Sequence, residues 1–193
     1  MKHLKMIATI AMAAMAAFAA IGAGSAAATT LEVEGVTKNS SVTLKGNIVP
    51  GTSGILARTD GSLANTCTQL TLEGSTSSFT GSTVTGSVSA FTLGGCTRTV
   101  TTDKTGIIHA EHIAGTTNAT VSSSGAEITT STPFGTVNCK TGAGVDIGTL
   151  TGTASGHATL HLNAVLNCGF LLPSGTLKGT GTVESPTGLG ASA

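Results

Sequence analysis

The sequence predicts an all-β fold, an antiparallel β-sandwich or barrel cross-linked by two disulfides. Three observations carry that expectation: apolar residues alternate with polar ones, glycine-rich turns separate the alternating runs, and the chain holds an even number of cysteines, four. The alternation is plain at Ser41-Val42-Thr43-Leu44-Lys45, at Gln69-Leu70-Thr71-Leu72-Glu73 and at Thr83-Val84-Thr85-Gly86-Ser87-Val88. The clearest run spans 157–168, where the even-numbered residues are apolar or cysteine and the odd-numbered ones are polar except Val165. A period of two marks a strand with one face buried and the other wet. After residue 28 no comparable stretch has a helical period.

Gly94-Gly95, Ser123-Ser124-Gly125, Gly142-Ala143-Gly144 and Ser155-Gly156 read as turns between strands. Thr and Val dominate the runs, as suits a pleated, half-buried surface.

Ahead of the strands, residues 1–28 have the three parts of a secretory signal peptide. Lys2 and Lys5 make a basic start, Met6 to Ile21 is apolar and Ala-rich, and Ala26-Ala27-Ala28 is a small-residue exit. The apolar run falls short of the roughly 20 residues a membrane span needs. Cleavage after Ala28, or Ala27, leaves residues 29–193 as a single all-β domain of roughly 165 residues. The expected location is outside the cell or in its envelope, with no transmembrane segment in the mature chain.

In an exported chain, Cys67, Cys96, Cys139 and Cys168 read as two disulfides. Three pairings are open. The two equal spacings, 67 to 96 and 139 to 168, favour sequential pairing and fit two related halves, although spacing alone does not fix connectivity. No Cys-x-x-Cys pair favours a metal site instead.

Charge narrows the function classes. The full chain has nine basic and nine acidic side chains, and losing Lys2 and Lys5 tilts the mature chain faintly acidic. Such a surface lacks the cationic groups that drive nucleic-acid binding by counterion release. There is no Trp and no Tyr, which counts against binding by ring stacking.

Candidate chemistry is sparse. His109-Ala110-Glu111-His112 is the densest titratable cluster. On a strand, His109 and Glu111 share a face about 7 Å apart and are the residues a secreted hydrolase would use. His157 and His161 share a face too, but about 13 Å apart, too far to hold one ion. No G-x-S-x-G elbow marks a serine nucleophile. No catalytic, cofactor-binding or metal-binding set is therefore assigned. Thr43 to Val49 also looks slightly like the first strand of a fimbrial subunit, an adhesin-like alternative that requires an open groove for a donor strand.

Several segments together carry a family resemblance: Asn138-Cys139, the stretch Asp146 to Gly152, the Ala/Leu strand to Cys168, and the closing Val183-Glu184-Ser185-Pro186-Thr187-Gly188-Leu189. In residues 90–189 the chain resembles a group of exported, uncharacterised β-rich actinobacterial proteins. More distantly it is similar to the secreted alkane-oxidation protein activator family. The resemblance implies a non-enzymatic extracellular or envelope protein that aids contact with hydrophobic substrates or surfaces. The expected function is thus binding or surface assembly, with a cell-surface component, a hydrophobic substrate or a second copy as partner.

Overall fold

The computed structural model describes residues 28–62, 64–169 and 174–193. The expected signal peptide lies outside them except for Ala28. Every named element of the described chain is a strand. β1 (Thr29–Val33) and β2 (Val36–Thr37) form a hairpin turned by Glu34 and Gly35. Both turn residues have positive φ, 55° and 70°, as a two-residue hairpin loop demands. β3 (Thr43–Ile48) and β4 (Gly54–Arg58) lie end to end beside β5 (Asn65–Thr76). After β6 (Thr80–Gly81), β7 (Val84–Cys96) runs back along β5. β8 (Val100–Lys104) leads into β9 (Ile107–His112), and β10 (Ala119–Ser124) leads into β11 (Glu127–Thr132). β12 (Gly135–Lys140) leads in the same way into β13 (Val145–Thr151). β14 (Ala158–Leu166) and β15 (Gly175–Ser185) make a long hairpin, followed by β16 (Leu189–Ser192).

Eight strands, β3, β5, β7, β9, β10, β13, β14 and β15, pair antiparallel in sequence order, and β15 pairs back to β3. The result is a closed up-and-down barrel. Sequence left sandwich and barrel open; the β15–β3 pairing decides against the sandwich. Closure satisfies the edge amides that two separate sheets would leave unpaired.

Each end of the barrel is covered. At one end β1 pairs with β16, β2 and β6 in a four-stranded lid. Leu31, Val33 and Leu189 of that lid bury themselves with Val84 and Ala158 of the wall. At the other end β8, β11 and β12 form a three-stranded flap. These strands continue β9, β10 and β13 beyond a crease. Ile128, Val137 and Cys139 of the flap pack onto Leu56, Leu70 and Leu166 of the wall. Ser123-Ser124-Gly125, which reads as a turn in the sequence, is part of this crease: the chain passes from β10 to β11 without reversing, each paired in its own sheet. Gly106 makes the crease tight, since its backbone (φ 74°) lies so close to Ala126 N and Ser124 O that a Cβ would come within 2.7 Å of both.

The disulfides are Cys67–Cys96 and Cys139–Cys168, the sequential pairing. The first joins β5 and β7, where the cysteines stand opposite each other. The second pins the flap to the wall just past β14. The two bridges do different jobs, so the equal spacing does not mark two equivalent halves. Together they point to a non-reducing, extracytoplasmic environment. Among the described residues no helix is long and apolar enough to cross a membrane.

The period of two sorts inside from outside. On β14, Leu162, Ala164 and Leu166 are buried while His161, Asn163 and Val165 are exposed. Lys45, Glu73, Glu111, Asp146 and Lys178 likewise face solvent. Buried Asn65 ties the wall to the flap. Its Nδ2 donates to Arg98 O (3.1 Å) and Thr130 Oγ1 (3.0 Å), and its Oδ1 accepts from Arg98 N (3.0 Å) and Thr97 Oγ1 (2.9 Å).

Candidate functional site: a cavity inside the barrel

The middle of the barrel is hollow. A cavity of about 160 Å³ lies between lid and flap. Leu72, Val88, Phe91, Val121 and Leu160 line it from the wall; Leu31 and Leu189 reach it from the lid, and Ile128 from the flap. An eight-stranded barrel is just wide enough for large side chains to fill. Here Gly46, Gly86, Ala110, Ser123 and Ala164 occupy inward positions, and with no Trp or Tyr in the chain the axis stays open.

The lining is apolar almost throughout. Lys45 borders it, but its ammonium turns outward to Glu73 Oε1, 3.4 Å away on the barrel surface. The hydroxyl of Thr76 accepts from Val42 N (3.0 Å), and that of Thr141 accepts from Ala126 N (2.9 Å). Among the described lining residues there is no carboxylate, imidazole or free thiol; apart from Lys45 the polar side chains are hydroxyls, those of Thr76, Thr105, Ser123 and Thr141. What such a site can do chemically is exclude water from an apolar guest.

The two covers differ in how they are held. The flap is covalently fixed by Cys139–Cys168. Backbone hydrogen bonds hold the lid, among them Leu31 N to Phe79 O (2.9 Å), Thr153 N to Leu189 O (3.0 Å) and Ala191 N to Thr117 O (3.1 Å).

The residues singled out in the sequence lie elsewhere. His109 and Glu111 share a face of β9, as expected, but it is the outer face: Ile108 and Ala110 between them line the cavity. His109 Nδ1 meets Thr85 Oγ1 at 3.2 Å, and Glu111 has no ion-pair partner among the described residues. His112 sits below the lid, its Nε2 2.7 Å from Thr116 O and its backbone N–H donated to Thr29 Oγ1. His157 lies 3.8 Å from Glu184 on the surface, while His161 stands further along β14, facing solvent. Among the described residues no three His, Cys, Asp or Glu side chains converge. The segment with the fimbrial look is β3, paired on both sides, so it leaves no vacant strand position in the wall.

Sequence reasoning missed the cavity. Its signal was the scarcity of aromatics together with small residues at alternate positions, which becomes meaningful only once a closed barrel fixes which positions point inward. The fold and its interior define a class: closed eight-stranded antiparallel barrels, apolar within, polar without, covered at both ends. No protein-family model, curated protein or solved structure matches the chain.

Proposed function

We propose that this is a secreted, non-catalytic binding protein that holds a small apolar molecule inside its barrel. The apolar cavity of about 160 Å³ carries the reading. At about 24 cal/mol per Å³ of void, leaving that space empty costs on the order of 4 kcal/mol. That is a large part of the roughly 5–15 kcal/mol by which whole domains are stable. A guest that fills the space recovers much of the lost contact energy.

Size limits the guest. Drug-sized ligands occupy pockets of roughly 300–1,000 Å³. An apolar cavity of about 150 Å³ takes a benzene-sized molecule. The polar outer face, with Lys45, Glu73, Glu111, Asp146 and Lys178, is the reverse of a membrane-spanning barrel, whose apolar band faces out. That supports a barrel working in water. The leader-like residues 1–28 and the two disulfides support export.

The test is thermal unfolding of the oxidised protein, purified from an exporting host, with rising benzene, toluene or short alkane. Binding to the folded state alone raises the Tm with ligand concentration, and xenon should occupy the barrel axis in a crystal. A Tm that stays put across the panel, with no xenon in the interior, would remove the proposal.

A further inference from the structure

We infer that the guest is not a pure hydrocarbon but carries one hydrogen-bonding oxygen, an alcohol or a ketone, which the Ser123 hydroxyl meets at the crease end of the cavity. This deepens the binding reading and rests on it.

The observation is an unspent hydroxyl. Six polar residues are buried in the described chain: Thr29, Asn65, Thr76, Ser123, Thr130 and Thr141. Five have side-chain partners within the protein. Thr29 Oγ1 donates to Ser82 O and accepts from His112 N. Asn65 donates to Thr130, and the hydroxyls of Thr76 and Thr141 accept from Val42 N and Ala126 N. Ser123 is only 3% exposed and lines the cavity, and its hydroxyl bonds to no described residue. It is not among the sealed-off polar atoms of the described residues, which are His112 Nδ1 and Asn138 Oδ1. Its oxygen therefore retains some contact with open space, and the cavity it lines offers that space. A hydroxyl that opens onto an apolar cavity gains a hydrogen bond only from something placed in that cavity.

Its placement is directional. Ser123 is the second-last residue of β10, paired with Ile108 on one side and Val145 on the other. Thr105, half-buried between β8 and β9, lines the same cavity and likewise bonds to no described residue. Both therefore sit where the wall strands give way to the flap. The opposite end, under Leu31 and Leu189, is apolar but for Thr76, whose hydroxyl is already engaged by Val42 N. A guest with an oxygen at one end and hydrocarbon at the other matches that polarity. A carboxylate or an amine does not, because among the described lining residues the one charged group, Lys45, turns outward to Glu73.

Matched probes test this: cyclohexanol against methylcyclohexane, each titrated into wild type and Ser123→Ala. Ser123→Ala should weaken cyclohexanol about five- to tenfold, the loss of one buried hydrogen bond. It should leave methylcyclohexane unchanged or slightly tighter. A crystal with cyclohexanol should place its oxygen within hydrogen-bond distance of Ser123 Oγ. If both probes bind and Ser123→Ala alters neither, or if a water alone occupies Ser123 in the alcohol complex, the oxygen handle is wrong while the binding reading stands. If wild type binds neither probe, the binding reading itself falls.

Discussion

Replacing Ala110 by leucine should make the protein more stable. Ala110 lies on the inner face of β9, opposite Val84 and Val121, and borders the cavity. Leucine adds three carbons. At about 0.8 kcal/mol per buried methylene they contribute up to ~2.4 kcal/mol, and fixing the side chain gives back about 0.5–1 kcal/mol. The expected net gain is about 1.5–2 kcal/mol, or roughly 4–6 °C in Tm for a domain of this size. In a close-packed interior the same change would cost about 1–3 kcal/mol through strain, so the sign of the effect reads whether the barrel is hollow. Ala158→Leu is the matched control: Ala158 is 0% exposed and packed beneath the lid behind Leu31, Val84 and Leu189, and does not itself line the cavity. There the same three carbons should destabilise by about 1–3 kcal/mol. Urea unfolding of the oxidised proteins, followed by circular dichroism, gives both values from midpoint shifts at constant slope. Ala110→Leu should also weaken binding of apolar probes. If it destabilises the protein as much as Ala158→Leu does, the interior is filled and the cavity argument collapses.

Three further outcomes follow from the geometry. Gly148 sits at a bulge between β10 and β14 with φ 141°, and an added Cβ would run into the His161 carbonyl oxygen; Gly148→Ala should cost about 2–4 kcal/mol, and a thermal-unfolding loss below about 1 kcal/mol would show that the bulge relaxes freely. Removing the flap bridge by Cys139→Ala with Cys168→Ala should cost about 3.5 kcal/mol, the loop-closure value for a separation of 29 residues, and a urea midpoint equal to wild type would mean the flap holds itself. Lys104, donating to Glu127 at 2.8 Å, is the largest influence holding the Glu127 carboxyl below its ordinary value of 4.5; burial opposes it, and Lys140 adds to the lowering. Its stabilising contribution is therefore complete above the unfolded-state value and fades as pH falls through the lower folded-state value. Glu127→Gln should flatten the acid limb of the stability–pH curve, and an unchanged limb would show that this ion pair contributes nothing.

What was legible in the sequence was local. Alternation is a property of neighbouring residues, so the inward Leu162, Ala164 and Leu166 and the outward His161 and Asn163 could be read directly from 157–168. The disulfide framework was legible as well, since Cys67 and Cys96 flank a hairpin and the equal spacing favoured the pairing that forms. Closure was not legible. Whether Gly46 pairs with Val183 depends on strands far apart in the chain, and no local pattern encodes that partner. The crease was mistaken for a turn because Ser124-Gly125 satisfies turn chemistry, while the continuing direction is set by the pairing of β10 with β9 and of β11 with β8. His109 and Glu111 drew notice because titratable groups were dense there, yet a period of two directs them away from the interior once Ile108 and Ala110 face it. The network around Asn65 escaped notice because a lone Asn before a strand looks like any turn residue, and all its partners come from later segments.

The lid joins Leu31 to Ala191, strands separated by nearly the whole of the described chain. β1 finds β2 and β6 from nearer segments, but the lid is complete only when Leu189–Ser192 pair along it. Neither β1 nor β16 belongs to the wall, so losing that one pairing would open the lid end while the eight-stranded cylinder stayed closed.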